Sequence, residues 1–146
     1  MITFELGTLI DRPMPEIFTF LSNPLNLPKW QVMIAKVEQA TPGAVGVGAK
    51  YNIQAEMLGR KIDGVMEITD FEPSTKFGFV NNAGPLQVKA VITLKPVGTG
   101  AKLTANIQGN PGGVFKVAEG VLAGQIKSQM EGNFARLKSL LEAGEK

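Results

Sequence analysis

Few side chains in this chain can move a proton or attack an electrophile. Histidine, the commonest general acid and base, is absent, and so is cysteine. No Ser-His-Asp arrangement can form, and neither zinc nor iron finds its usual nitrogen and sulfur ligands. Period-two alternation in the strand-like segments turns Glu5, Glu56, Asp63 and Glu67 outward, away from an interior where burial could tune a carboxylate. What is left for catalysis is Tyr51 in an inward phase, Asp11 and Arg12 beside a turn, or a reaction helped only by shape and desolvation. The glycine-rich stretch at 43–48 lacks the Lys-Ser/Thr ending of a phosphate cradle and precedes a strand instead of a helix. The sequence therefore predicts no catalytic residue, no cofactor and no metal site.

The residues suited to binding are more numerous. In the strand-like segments the inward phase carries Ile53, Met57, Met66, Phe77, Phe79, Val88 and Ala90, with Tyr51 among them as a polar exception. Such an apolar stripe is ordinarily core, and it lines a ligand only where the fold leaves room. Met57, Met66 and Met130 are flexible and polarisable, fit either to fill core gaps or to adapt to an irregular guest. Trp30 is the sole tryptophan, an anchor for the short helices or the rim of a cavity mouth. A buried Tyr51 phenol needs a hydrogen-bond partner, from the backbone or from a ligand. On the C-terminal helix, an advance of about 100° per residue groups Ile126 and Met130 with the amides of Gln129 and Asn133 in one apolar band. An amide there must be satisfied by a strand or by a guest.

These residues depend on the elements that position them. Phe4, Leu6, Thr8 and Ile10 share one face of a first strand, and Pro15 opens a short helix with Ile17, Phe18, Phe20 and Leu21 on its apolar side. Pro24 to Trp30 forms another turn or two, limited by Pro28. Strands are expected over Met33 to Gln39, Lys50 to Leu58, Arg60 to Phe71, Lys76 to Asn81, Leu86 to Leu94 and Lys102 to Gln108, with tight reversals at Leu58-Gly59 and Gly98-Thr99-Gly100. Phe71 is out of phase with Ile68, which predicts a bulge near Asp70. Sequential hairpins imply an antiparallel sheet. Val114 to Leu141 reads as one long helix, with an irregularity expected where Gly120 and Gly124 fall between two apolar directions.

With 146 residues the chain is expected to be one ligand-binding domain over 1–146, needing neither disulfide nor metal to fold. A net charge of +2, with basic residues scattered and not interleaved with aromatics, gives no support to nucleic-acid binding. Apolar runs are far shorter than the roughly 18–20 residues of a membrane span, so no stable membrane insertion is expected. Met1 to Ile10 contains Glu5 and reads as a strand instead of an export signal. The lack of cysteine fits a reducing compartment, and the expected location is the cytoplasm.

The order strand, helix pair, six strands, long helix carries several recognisable stretches. They are Asp11-Arg12-Pro13 before the first helix, Ser22-Asn23-Pro24 through Lys29-Trp30 after it, Gly46-Val47-Gly48-Ala49 before Tyr51, Asp70-Phe71-Glu72-Pro73, and the closing Leu137-Lys138-Ser139-Leu140-Leu141-Glu142. Together they resemble the START-like (SRPBCC) superfamily, and within it the polyketide cyclase/dehydrase and lipid-transport-like group. The resemblance implies an α+β helix-grip fold, a curved antiparallel sheet of about seven strands wrapped around a long C-terminal helix, with two short helices after strand one. It also implies an apolar cavity. The expected function is binding or carriage of a small hydrophobic molecule, a lipid, sterol or polyketide-like compound, by a monomer or weak homodimer. Two alternatives stand beside it: an aromatic polyketide cyclase or dehydratase acting in the same cavity, and a protein-interaction module with a filled interior. Fold alone does not choose among them.

Overall fold

The computed structural model of the protein describes residues 2–31, 34–57, 59–83, 86–110 and 119–144. Along them run β1 (Ile2–Ile10), α1 (Met14–Leu21), a 3-10 turn (Pro24–Asn26), α2 (Leu27–Trp30), β2 (Ile34–Gln39), β3 (Lys50–Met57), β4 (Arg60–Glu72), β5 (Lys76–Ala83), β6 (Leu86–Val97), β7 (Gly100–Asn110) and α3 (Glu119–Glu142). The strands form one antiparallel sheet in the order β1-β7-β6-β5-β4-β3-β2. Each of β2 to β6 pairs with the next strand in the chain, while β1 crosses to pair with β7 from Ile2↔Gly109 to Ile10↔Ala101.

Local chemistry sets the turns. Val97 pairs with Gly100, leaving Gly98-Thr99 as a two-residue loop, and Gly98 takes φ +59, which its lack of a Cβ permits. The register of β4 on β5 shifts between Ile68 and Asp70, the bulge expected from the phase of Phe71. Pro28 does not limit the second helix: the chain turns through Pro24–Asn26, restarts at Leu27, and holds Pro28 in the first turn of α2, where its missing N–H costs nothing. Asn23 caps the 3-10 turn by accepting from the Leu25 N–H at 3.1 Å, and Asn26 donates to the Phe20 carbonyl at 3.1 Å.

The core lies between the concave face of the sheet and the helices. Ile17, Phe18, Phe20 and Leu21 of α1 are all buried. Phe18 packs edge-on to Phe71, with ring centroids 5.3 Å apart, and to Phe77 at 6.5 Å. Trp30 of α2 lies 5.6 Å from Phe134 of α3. Leu137 and Leu141 of α3 are buried in the same core cluster as Leu103, Ile92 and Ile10. Gly120 and Gly124 lie in the described helix from Glu119 onward, and most of the first apolar half on which the expected irregularity rests lies outside the described residues. Val114, the expected helix start, lies outside the described residues, as do Met33 and Leu58.

Candidate functional site

Residues directly opposite one another on antiparallel strands share a face, so the registers define rows across the concave side. One row runs Tyr51↔Met66↔Asn81↔Val88↔Gly109, from β3 through β7. Deeper toward the C-terminus of α3 lie Ile68↔Phe79↔Ala90↔Ile107 and then Phe77↔Ile92↔Ala105, all buried. Within the Tyr51 row Val88 and Asn81 are half-buried, and toward the β3–β4 turn Gly64, Ile62 and Ala55 are half-buried while Ile53 and Ile34 stay buried. Among the described residues the concave face is therefore closed at one end and only partly covered toward the other.

Besides Asn133 of α3, three polar groups stand out in this interior among the described residues. Tyr51 is 2 % exposed. Burial alone pushes its phenol above the usual range, so it holds its proton as a neutral O–H. The side-chain oxygen of Asn81 is buried and accepts no hydrogen bond. The Trp30 indole, 1 % exposed, likewise has a buried N–H without an acceptor. Asn81 is the residue that sequence analysis missed, although it stands in the same alternating phase as Phe77 and Phe79.

The structure separates the remaining expected site residues. Tyr51, Met66 and Val88 share the row, Ile53 flanks it on β3, and Phe79 and Ala90 form its deeper neighbour. Phe77 belongs to the closed aromatic cluster under α1. Trp30 anchors α2 against Phe134. On α3, Met130 is half-buried against the core, and Asn133 is 2 % exposed and not without a partner. Gln129 is exposed, contrary to its expected place in the apolar band. The buried stripe follows Met130, Phe134, Leu137 and Leu141, and counting Phe134 and Leu141 moves its centre about 100° from Gln129. Gln129 instead borders a shallow groove along the helix with Ser128, Gly132, Asn133 and Arg136. The side chains of Met57 and Ile126 lie outside the described residues.

None of the three interior polar groups carries a charge at neutral pH, and among the described residues no cluster of acidic side chains is disposed to hold a metal ion. A second open groove, of about 420 Å³, lies on the opposite face of the sheet between Lys36, Glu38, Asn52, Gln54 and Asp63. What the concave side offers is an apolar wall with neutral hydrogen-bonding groups.

The model of the family described as polyketide cyclase / dehydrase and lipid transport matches residues 1–142. The chain belongs to this family. It is accordingly a START-like protein, and the seven-stranded curved sheet, long C-terminal helix and short helices after β1 are the helix-grip fold. Among solved structures, a protein from Thermus thermophilus is similar at a TM-score of 0.82 and 11% identity, covering 99% of each chain. Ara h 8.0201 is similar at 0.74 and 18%, covering 97% of each. DynU16, a protein of the dynemicin biosynthetic locus, is similar at 0.72 and 18%, covering 99% of this START-like chain and 49% of its own. At these identities the likeness speaks for the fold. No curated protein matches the sequence. Among the described residues of this family member, no helix is long and apolar enough to cross a membrane.

Proposed function

We propose that this protein binds and carries a small hydrophobic molecule, lipid-, sterol- or polyketide-like, on the half-covered part of its concave face. One observation carries the proposal: side chains that alternation turns inward, Val88, Asn81, Ile62 and Ala55, remain partly exposed while the same face is fully buried a few residues away. In a filled interior this exposure would have no reason, because apolar inner faces pack to exclude water. The family's description, which names lipid transport, supports the same function. Affinity comes from apolar area removed from water, roughly 25 cal/mol per Å² before the costs of association. The protein acts as a monomer or weak homodimer, with a single domain and no cofactor, in the cytoplasm.

The test is thermal unfolding of the full chain with fatty acids, sterols and aromatic polyketides, paired with native mass spectrometry of the purified protein. A ligand at a hundred times its Kd stabilises by about 2.7 kcal/mol, which raises Tm by roughly 5–10 °C for a chain of this size. Absence of any copurified mass together with no stabilisation by any apolar compound would overturn the proposal. Cyclase or dehydratase chemistry in the same place is the second reading, favoured by the Tyr51 hydroxyl and the unpartnered Asn81 side-chain oxygen, which stand on one inner row. Turnover unaffected by Tyr51→Phe would remove Tyr51 from it.

A further inference from the structure

We infer that the free edge of β2 pairs with the same edge of a second copy of this chain, antiparallel and with the twofold axis at Val37. β1 and β2 are the outer strands of the sheet, and they are finished differently. The outer edge of β1 runs beside α3, whose Lys138 donates to the Leu9 carbonyl and whose Glu142 accepts from the Asp11 N–H. β2 is approached by α2 and the 3-10 turn and buries Ile34, yet Ala35, Lys36, Glu38 and Gln39 remain exposed and Val37 is half-buried. One edge is covered and the other is open.

The open edge has backbone groups to offer. At the end of the β2–β3 ladder the Ala40 N–H donates to the Lys50 carbonyl at 2.9 Å. Antiparallel partners alternate between pairs that exchange backbone bonds and pairs that do not, so Glu38 and Lys36 turn their N–H and C=O to β3, while Val37 and Gln39 turn theirs away from it. Such an edge is a template for another strand. The register shift at Ala35 and the end of the strand at Gln39 bound the ladder, which keeps the pairing short and the dimer weak.

Charge chooses the partner and the register. Val37 lies opposite Ile53 on the inner face, so Lys36 and Glu38 stand on the outer one, where they form an ion pair at 2.8 Å with most of both side chains exposed. With the axis at Val37, Lys36 falls opposite Glu38 of the second copy, and Glu38 opposite its Lys36, while the two Val37 residues exchange backbone bonds across the axis. Four charges of alternating sign then close a ring. An axis at Lys36 or at Glu38 would set like charges directly opposite one another, which destabilises a pair of strands. An axis at Ala35 or Gln39 would bring neither charge to its opposite. The strand is therefore complementary to itself in one antiparallel register.

Sedimentation equilibrium of the full chain at low salt, up to about 1 mM protein, is expected to show monomer and dimer in exchange. Lys36→Glu opposes carboxylate to carboxylate across the axis, and Glu38→Lys opposes ammonium to ammonium. Each alone is expected to weaken self-association about tenfold. Mixed in equal amounts, the two variants are expected to pair with each other, and the double exchange of Lys36→Glu with Glu38→Lys is expected to restore the homodimer. Val37→Pro removes an N–H that faces the open edge and not β3, a change that edge strands accept, and is expected to abolish the dimer. Should that variant fail to fold, the charge variants, altered only at exposed side chains, carry the test alone. A chain still monomeric at about 1 mM, a dimer indifferent to the single charge reversals, or reversed variants that do not pair when mixed would overturn the inference. Each of these results leaves the carrier reading standing, because the test involves no guest.

Discussion

At the scale of single residues, Tyr51 is the best internal reporter, because it is the only tyrosine in the chain. Its burial disfavours the phenolate, so the folded pKa is raised above that of the unfolded chain. The sign follows from proton uptake: in the alkaline range the folded state binds more protons than the unfolded one, so stability falls as pH rises. The contribution is fully present below about pH 10, the ordinary tyrosine value, and is lost as pH climbs through the folded one. Phenolate absorbance should therefore give one transition with its midpoint above that of free tyrosine, and Tyr51→Phe should flatten the alkaline limb of the stability curve. A midpoint at the ordinary value would contradict the buried placement. The inward phases of Tyr51, Met66 and Val88 were legible in the sequence because side-chain direction in a strand repeats every two residues. Asn81 obeys the same period and was missed because polarity beside a turn reads as the end of a strand. Gln129 was misplaced because the centre of a helical stripe depends on which apolar residues are counted, and Phe134 decides it.

At the scale of elements, most of the architecture was written in local pattern. Alternation located every strand, the phase break at Phe71 located the bulge, and Gly98-Thr99 located a hairpin. The pairing of β1 with β7 was not local, because it joins segments about a hundred residues apart by backbone bonds that no periodicity records. Pro28 misled for a related reason: proline stops a helix from inside but suits its first turn, and only the end of the preceding 3-10 turn tells which applies. The β1–β7 pairing also explains Gly100. A Cβ on Gly100 would stand 2.3 Å from the Ile10 carbonyl oxygen and 2.9 Å from the Asp11 Cα, both backbone atoms. Gly100→Ala must push β7 away from the end of β1 and is expected to cost about 1–3 kcal/mol, the range of overpacking. Gly46→Ala is the control, since its Cβ would meet nothing within 4 Å and its φ is not positive. Denaturant unfolding of the two variants tests the close approach, and equal stability would refute it.

At the scale of the whole molecule, the two ends of the sheet do different work. Where the concave face is closed, the C-terminus of α3 is tied to the rest of the chain by a polar clasp. Glu142 accepts from the Asp11 backbone N–H at 3.0 Å and from Lys138 at 2.9 Å. Lys138 also donates to the Leu9 carbonyl, and Thr99 in the β6–β7 turn donates to Asp11 at 2.8 Å. The clasp thus joins β1, α3 and the β6–β7 turn at one point, about 26 Å along β7 from the Tyr51 row by strand geometry. The backbone hydrogen bond from Asp11 and then the Lys138 ammonium hold the Glu142 carboxyl below the usual range. For a carboxyl lowered on folding, the stabilisation is present above the unfolded value of about 4.3 and is lost as pH falls through the folded one. Glu142→Gln keeps an acceptor for the Asp11 N–H but removes the charge. Its Tm deficit relative to the unaltered protein should therefore be constant from pH 8 to about 6 and shrink below about 5, and salt should reduce it, because the pair is exposed. Guest affinity should be unchanged throughout, since the clasp and the half-covered row are separated by the solid part of the core. A Tm deficit independent of pH would remove the charge from the clasp, and a matching loss of affinity would show that the two ends are coupled instead of independent.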